Sequence, residues 1–310
     1  MANKQTLIIL GGSLLIVLAI LLLWEGDAAR PPGERPRVVD YRAHQAPPSA
    51  QQAPKDILGR RIAAVRTGAP VPRRFFSGFP ADLMDIPAGP ERKRRFLAVM
   101  LPLVLRANEI MNDQRAHMKA LFAAMEAGET LAEEDRIWLL ATYNRLTRSE
   151  AQAVDTVDRA ALERRLAPVP VSLALTQAAM ESAWGTSRFA REGNAAFGVW
   201  TWNETHEGIV PERRAEGANH RVRAYAYLID SVMDYITTLN KGGAYKAFRA
   251  MRAKQLDSQK PLDGLALAQT MVNYSERREA YVTELRQIIQ GNRMTDFDRA
   301  RLVQPDTPAS

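Results

Sequence analysis

The chain has 310 residues, 46% of them hydrophobic, and no cysteine. That length supplies one large core or two small ones, and the missing thiols exclude disulfides, thiolate metal sites and cysteine nucleophiles. The formal charge of +7 is either a basic soluble surface or an attraction to polyanions. No zinc-finger, RNP-like or helix-turn-helix pattern points to nucleic acid.

Residues 1–24 read as an anchor. Thr6 to Trp24 carries no charge and has the length of one membrane-spanning helix, about 20 residues. Lys4 precedes it and Glu25 and Asp27 follow, which puts the N-terminus in the cytoplasm and the rest outside the cytoplasmic membrane. A signal peptide cut near Asp27-Ala28-Ala29 is the other reading. Residues 25–60, rich in Pro, Arg, Gln and Ala, cannot bury a core and read as an extended tether.

Residues 61–166 form a helical accessory region. Lys93 to Asn112 has apolar residues at helical spacing, with Pro102 kinking or dividing it. Asp113 to Ala127 makes a second helix, stopped by Gly128. Thr130 to Glu133 has the pattern of a capping box opening a third, and Asp155 to Leu166 a short fourth. Arg92 to Arg95 reads as a solvated helix start. Asn108 and Glu109, polar in an apolar helix, either line a groove or form a structural pair.

Residues 167–291 form the principal domain. Pro168-Val169-Pro170 breaks the chain, Ser172 is the expected N-cap, and Val171 to Trp184 forms an apolar helix stopped by Gly185. Ser187 to Glu192 adds a turn or two. Asn194 to Tyr227 turns to short strands and loops. Four helices follow, over Asp230–Asn240, Ala244–Lys254, Leu262–Val272 and Glu276–Gln290. Residues 292–310 read as a loose polar tail.

One carboxylate stands out. Glu181 interrupts the small and apolar run from Val171 to Ala183, near the negative pole of its helix. Poor solvation and the dipole both disfavour ionisation, so its pKa is expected to be raised. A glutamic acid that keeps its proton near neutral pH can protonate a leaving oxygen. Taken alone, a surface glutamate explains the residue as well. Helical spacing allows Glu181, Trp184 and Arg188 to share a face. Trp184 either shields the acid, stacks on a sugar or plugs the core. Trp200 and Trp202, at a period of two, point to one side of a strand, facing either sugar rings or a core.

The stretch Pro170 to Trp202 resembles the N-acetylglucosaminidase domain of glycoside hydrolase family 73, and more narrowly its Bax-type bacterial envelope branch. The resemblance rests on Glu181-Ser182, Trp184-Gly185, Ser187, Ala190, Asn194 and Phe197-Gly198, continued by Val199-Trp200-Thr201-Trp202. Phe96 to Glu109, Arg223-Ala224-Tyr225 with Ser231 and Asp234-Tyr235, and the pair Tyr274 and Tyr281 extend it over roughly residues 75–290. It implies a mainly α, lysozyme-like α+β domain with a small β-lobe. It also implies peptidoglycan as substrate, cut after N-acetylglucosamine, with Glu181 as general acid and Tyr274 lining the cleft. Trp184, Arg188, Asn194, Phe197, Trp200, Trp202, Tyr225 and Tyr281 become candidate substrate contacts. Core packing explains Tyr274 and Tyr281 equally well. The implied location is the bacterial inner membrane, single-pass, with the domain in the periplasm.

The second carboxylate is less determined. An inverting glycosidase holds it about 6.5–9.5 Å from the acid and a retaining one about 5–5.5 Å. Glu204, Glu207, Glu212 and Glu216 are candidates, and Glu212 is preferred from its place before Gly217. A substrate acetamido group can replace it. His44, His117, His206 and His220 are scattered, and His206-Glu207 lacks the second histidine of a metalloprotease helix, so no metal or other cofactor is expected. A lytic transglycosylase and a non-catalytic wall-binding scaffold are the alternatives to hydrolysis. The sequence names no protein partner.

Overall fold

A computed structural model describes residues 57–212 and 219–304. The anchor of residues 1–24, most of the tether and Glu216 lie outside the described residues. Among the described residues no helix is long and apolar enough to cross a membrane.

The architecture follows from one helix that is apolar all round. Helix α5 (Val171–Glu181) buries every residue from Val171 to Ala179. A helix with no polar face needs neighbours on all sides. They are α2 (Pro90–Glu126), α9 (Gly264–Ala268), α10 (Arg278–Gly291) and a 3-10 turn at Met294–Phe297. Around this core lie α1 (Ile57–Arg66), α3 (Glu133–Thr147), α4 (Arg159–Arg165), α6 (Arg188–Gly193), α7 (Leu228–Lys241) and α8 (Lys246–Asp257). A small antiparallel sheet, in the order β1-β3-β2, is built from Trp200–Thr201 (β1), Gly208–Ile209 (β2) and Arg221–Arg223 (β3). Mainly helical with one small sheet, the fold fits a lysozyme-like α+β domain.

Helix α2 departs from expectation. It runs unbroken for 37 residues through Pro102, where two helices were expected. The cost of an interior proline, roughly 3 kcal/mol, is offset because every side chain from Phe96 to Ala107 is buried. Asn108 is the structural pair, not a groove residue. Its amide donates to Val169 O at 2.8 Å and accepts from Val169 N at 3.0 Å, pinning the break before α5. Glu109 binds Arg73 at 2.7 Å and Arg106 at 3.2 Å. The basic run at the start of α2 is engaged as well: Lys93 Nζ donates to Asn292 Oδ1 at 2.7 Å and Arg95 pairs with Asp82 at 2.6 Å.

Three helix starts differ from the sequence reading. No capping box forms at Thr130, because Ala132 is the N-cap of α3 and its side chain has nothing to offer. The fourth helix opens only at Arg159, where Asp158 accepts from Ala161 N. Ser172 lies inside α5, whose N-cap is Pro170. The Ser172 N–H and hydroxyl instead both donate to Asp298, each at 2.8 Å. The supposed loose tail is therefore structural through residue 304. Met294 and Phe297 are fully buried, Arg66 pairs with Asp296 at 3.0 Å, and Val71 bridges to Leu302.

Buried arginines hold the entry to α5. Arg252, with no exposed surface, donates to the carbonyls of Arg164, Ala167 and Pro168 at 3.0–3.2 Å. Phe96 closes the other end. It stacks on Phe79 at 5.8 Å and meets the Trp184 ring edge-on at 5.4 Å. Phe96→Ala is expected to cost about 3–5 kcal/mol through the cavity it leaves, read from the midpoint of urea unfolding.

Candidate active site

Glu181 is the last residue of α5. The helix stops there, three residues before the expected end at Trp184. Ala183 and Trp184 take left-handed backbone, with φ of 50° and 58°, and Gly185 follows at 81°. Ser182 builds this turn: its hydroxyl donates to Ala178 O at 2.5 Å and accepts from Gly185 N at 2.8 Å. Gly185 is required on two counts. Its φ suits glycine, and a Cβ there would sit 2.8 Å from Leu83 and Phe79 side-chain carbons.

Because the helix ends at Glu181, the face expected for Glu181, Trp184 and Arg188 does not form. Trp184 turns onto Phe96, with Lys93 Nζ 4.9 Å from its ring centre. Arg188, in α6, pairs with Glu192 at 3.6 Å and Glu212 at 3.4 Å, and donates to Val210 O at 2.8 Å. It ties α6 to the loop after β2.

The environment of Glu181 comes instead from α5 and α10. Tyr281 Oη donates to Glu181 Oε1 at 3.1 Å. The same hydroxyl accepts from Gln177 Nε2 at 3.0 Å, and Tyr235 Oη donates to Gln177 Oε1 at 2.7 Å. The result is a directed chain, Tyr235 to Gln177 to Tyr281 to Glu181. Gln177 and Glu181 share a face of α5 by their four-residue spacing. Tyr274 stacks on Tyr281 at 5.5 Å and donates to Phe197 O at 3.4 Å. Tyr245 lies 6.2 Å from Tyr274, ring centre to ring centre. Phe197 is buried, stacked on Tyr235 at 4.0 Å. The next residue, Gly198, borders the acid: a Cβ there would lie 3.8 Å from Glu181 Oε2.

Burial pushes the Glu181 carboxyl above the usual range. Glu284 pushes the same way, while the Tyr281 hydrogen bond and Arg277 oppose it. Burial, reinforced by the negative charge at Glu181, also raises Tyr245, Tyr274 and Tyr281. These phenols keep their protons, so the wall around Glu181 is neutral. A partly desolvated carboxyl beside buried phenols is suited to handing a proton to a bound oxygen.

The other candidate residues fall into two groups. Asn194, in left-handed backbone at φ 51°, donates its amide to the carbonyls of Tyr225 and Ala226 at 3.0 and 3.3 Å. Tyr225 donates to Asp234 at 2.6 Å, and Arg223 pairs with the same oxygen at 2.9 Å. Ser231 accepts from Ala196 N at 3.1 Å. These residues lock the β-lobe to α7.

Trp200 and Trp202 are surface residues, 51% and 61% exposed. Their rings lie 6.1 Å apart, and His220 stacks on Trp200 at 4.3 Å. This arrangement removes the core reading of the two tryptophans. Glu212 has a side chain 79% exposed and pairs with Arg188; Glu204 and Glu207 are also exposed. Among the described residues no cluster of acidic, histidine or cysteine side chains is spaced to hold a metal ion.

Sequence reasoning missed Gln177, Tyr245, Arg277 and Glu284, and named Tyr235 only as part of the resemblance. The spacing of Gln177 to Glu181 and of Tyr281 to Glu284, four and three residues, was the available signal for two of them.

Residues 158–294 match the family described as mannosyl-glycoprotein endo-beta-N-acetylglucosaminidase, the glucosaminidase family. The chain is also similar to "Protein bax" of Escherichia coli strain K12, 28% identical over 215 residues, which are 68% of this chain and 73% of that relative. No solved structure matches it. Replacing the Tyr281 phenol by Phe removes a donor to the carboxylate form of Glu181. Tyr281→Phe should therefore move the Glu181 titration to higher pH, read by carboxyl carbon NMR.

Proposed function

We propose, from the match of residues 158–294 to the glucosaminidase family, a peptidoglycan hydrolase that cuts the glycan strand after N-acetylglucosamine, with Glu181 as general acid. The observation that carries the proposal is the desolvated Glu181 carboxyl at the end of α5, hydrogen-bonded by Tyr281 and bordered by Gly198. The acid protonates the glycosidic oxygen as the bond to the anomeric carbon breaks, and water completes the cut. The positive charge at the anomeric carbon is met in one of two ways. Glu212 on the β-lobe acts as the second carboxylate, or the substrate's own acetamido oxygen attacks.

Trp200 and Trp202 are the platform for sugar rings. They are exposed side by side, and β1, which holds Trp200, starts two residues after Gly198. The apolar run Thr6–Trp24 supports a single-pass anchor in the inner membrane, with residues 25–60 as tether and the domain in the periplasm. Residues 61–166 act as a helical accessory region on this reading, and their helix α2 packs on α5.

Glu181→Gln is expected to lower reducing-end release from purified sacculi by about 100-fold or more, with the thermal unfolding midpoint retained. Unchanged release in that variant removes Glu181 as the acid. Anhydro-sugar products would make the enzyme a lytic transglycosylase, and binding without release a scaffold. Glu212→Gln abolishes turnover on the two-carboxylate route and spares it on the acetamido route. Trp202→Ala should raise KM several-fold while leaving kcat close to its starting value, checked by steady-state turnover of soluble glycan strands.

A further inference from the structure

Gln177 is a primary amide with no exposed surface, set between two phenols. Its Nε2 donates to Tyr281 Oη at 3.0 Å, and its Oε1 accepts from Tyr235 Oη at 2.7 Å. Tyr281 Oη donates in turn to Glu181 Oε1 at 3.1 Å. A phenol can donate or accept, and so can a carboxylic acid, but an amide has one donor end and one acceptor end. The amide is therefore the member that gives this chain a direction. With its ends exchanged, Tyr281 would donate to Gln177, and Glu181 would donate its own proton to Tyr281. Tyr235 opposes that exchange. It is 1% exposed, and among the described residues its hydroxyl has Gln177 as its one hydrogen-bond partner. Exchanged ends would leave a buried O–H with no acceptor, which is costly. The Tyr235 ring is itself held by stacking on Phe197 at 4.0 Å.

We propose that Gln177 and Tyr235 are positioning residues that select which oxygen of Glu181 carries the proton. Tyr235 fixes the amide, and the amide turns the Tyr281 hydroxyl toward Glu181 Oε1. The proton of the neutral acid is left on Oε2, the oxygen toward Gly198. The proposal rests on the acid assignment made above and deepens it. Neither residue reacts with the glycan. A buried amide needs partners for stability alone; the order of these partners is what the acid uses.

The consequence separates two quantities. In the exchanged chain the neutral acid donates to Tyr281, which favours its protonated form, so the Glu181 titration moves to higher pH. The same bond withholds the proton from a glycosidic oxygen, so turnover falls. More of the acid is protonated and less of it works. The other titratable groups that act on Glu181 are Tyr245, Tyr274, Glu284 and Arg277, and the substitutions below leave all four in place.

The test uses the full chain and Tyr235→Phe, which removes the hydroxyl and keeps the ring. Turnover of soluble glycan strands is followed against pH, and Glu181 is titrated by carboxyl carbon NMR, its signal assigned by loss in Glu181→Gln. Tyr235→Phe is expected to lower kcat several-fold at unchanged KM and to move the alkaline limb and the NMR midpoint up. Gln177→Met, which keeps the length and removes the amide, should do the same. In a Tyr281→Phe background, Tyr235→Phe should move the midpoint no further, because both act through one hydroxyl. A merely structural role would lower the unfolding temperature and leave the midpoint where it was. A midpoint that stays put or falls in Tyr235→Phe overturns the inference. So does a risen midpoint with kcat unchanged, or a second rise in the Tyr281→Phe background. An active Glu181→Gln enzyme defeats the acid assignment instead, and the NMR midpoints still report whether Tyr235 acts on Glu181 through Tyr281.

Discussion

The site depends on a carboxyl placed where water is scarce and where the backbone offers it nothing. Helix α5 is buried from Val171 to Ala179, and its final residue, Glu181, emerges from the core only at the helix end. At that end of a helix the free backbone groups are carbonyls, not N–H donors. An ionised Glu181 would have to find its stabilisation in side chains. The one hydrogen-bond donor it has is Tyr281, and that phenol is itself held in place by Gln177. Burial outweighs this single bond, so the Glu181 carboxyl is held above the usual glutamate range.

The run from Glu181 to Gly198 is understandable in these terms without assigning a substrate contact to each position. Ser182 and Gly185 end the helix and turn the chain away from the carboxyl. Ser187 caps α6, and Asn194 ends it in left-handed backbone while holding the chain around Tyr225. Phe197 fills the space beneath Tyr235 and lends its carbonyl to Tyr274. Gly198 passes the acid with no side chain in the way and leads into the exposed tryptophans. One residue of the run carries the proton; the others decide the shape of its surroundings.

The helices, the small β-lobe and the poorly solvated Glu181 carboxyl were legible in the sequence because each leaves a local trace. Apolar spacing marks α2 and α5, the Pro168–Pro170 break marks the start of the domain, and a lone carboxyl in an apolar run marks Glu181. What was not legible is long-range. Asp298 meets Ser172 across 126 residues, and Tyr281 meets Glu181 across 100. A single sequence contains no sign of such pairings. Helix boundaries failed where tertiary contacts replaced local caps, as at Ser172, or where burial outweighed a proline, as at Pro102. The helical end at Glu181 was also missed, because the apolar run continues to Trp184 while the backbone turns at Ala183.

Helix α5 meets a carboxyl at each end, and the two stand in contrasting surroundings. Asp298 meets the N-terminal end, where it accepts from Ser172 N, the Ser172 hydroxyl and, at 3.4 Å, Gly264 N. Burial raises its pKa to about 6 against these donors. Both oxygens are nonetheless committed to fixed partners, so a proton there has no substrate to reach. Glu181 meets the opposite pole. One of its oxygens takes the Tyr281 bond, and the other lies toward Gly198. Two partly buried carboxyls at opposite ends of one helix thus differ in their partners. Asp298 fastens the helix in the core, and Glu181 is held by Tyr281 alone among the described residues.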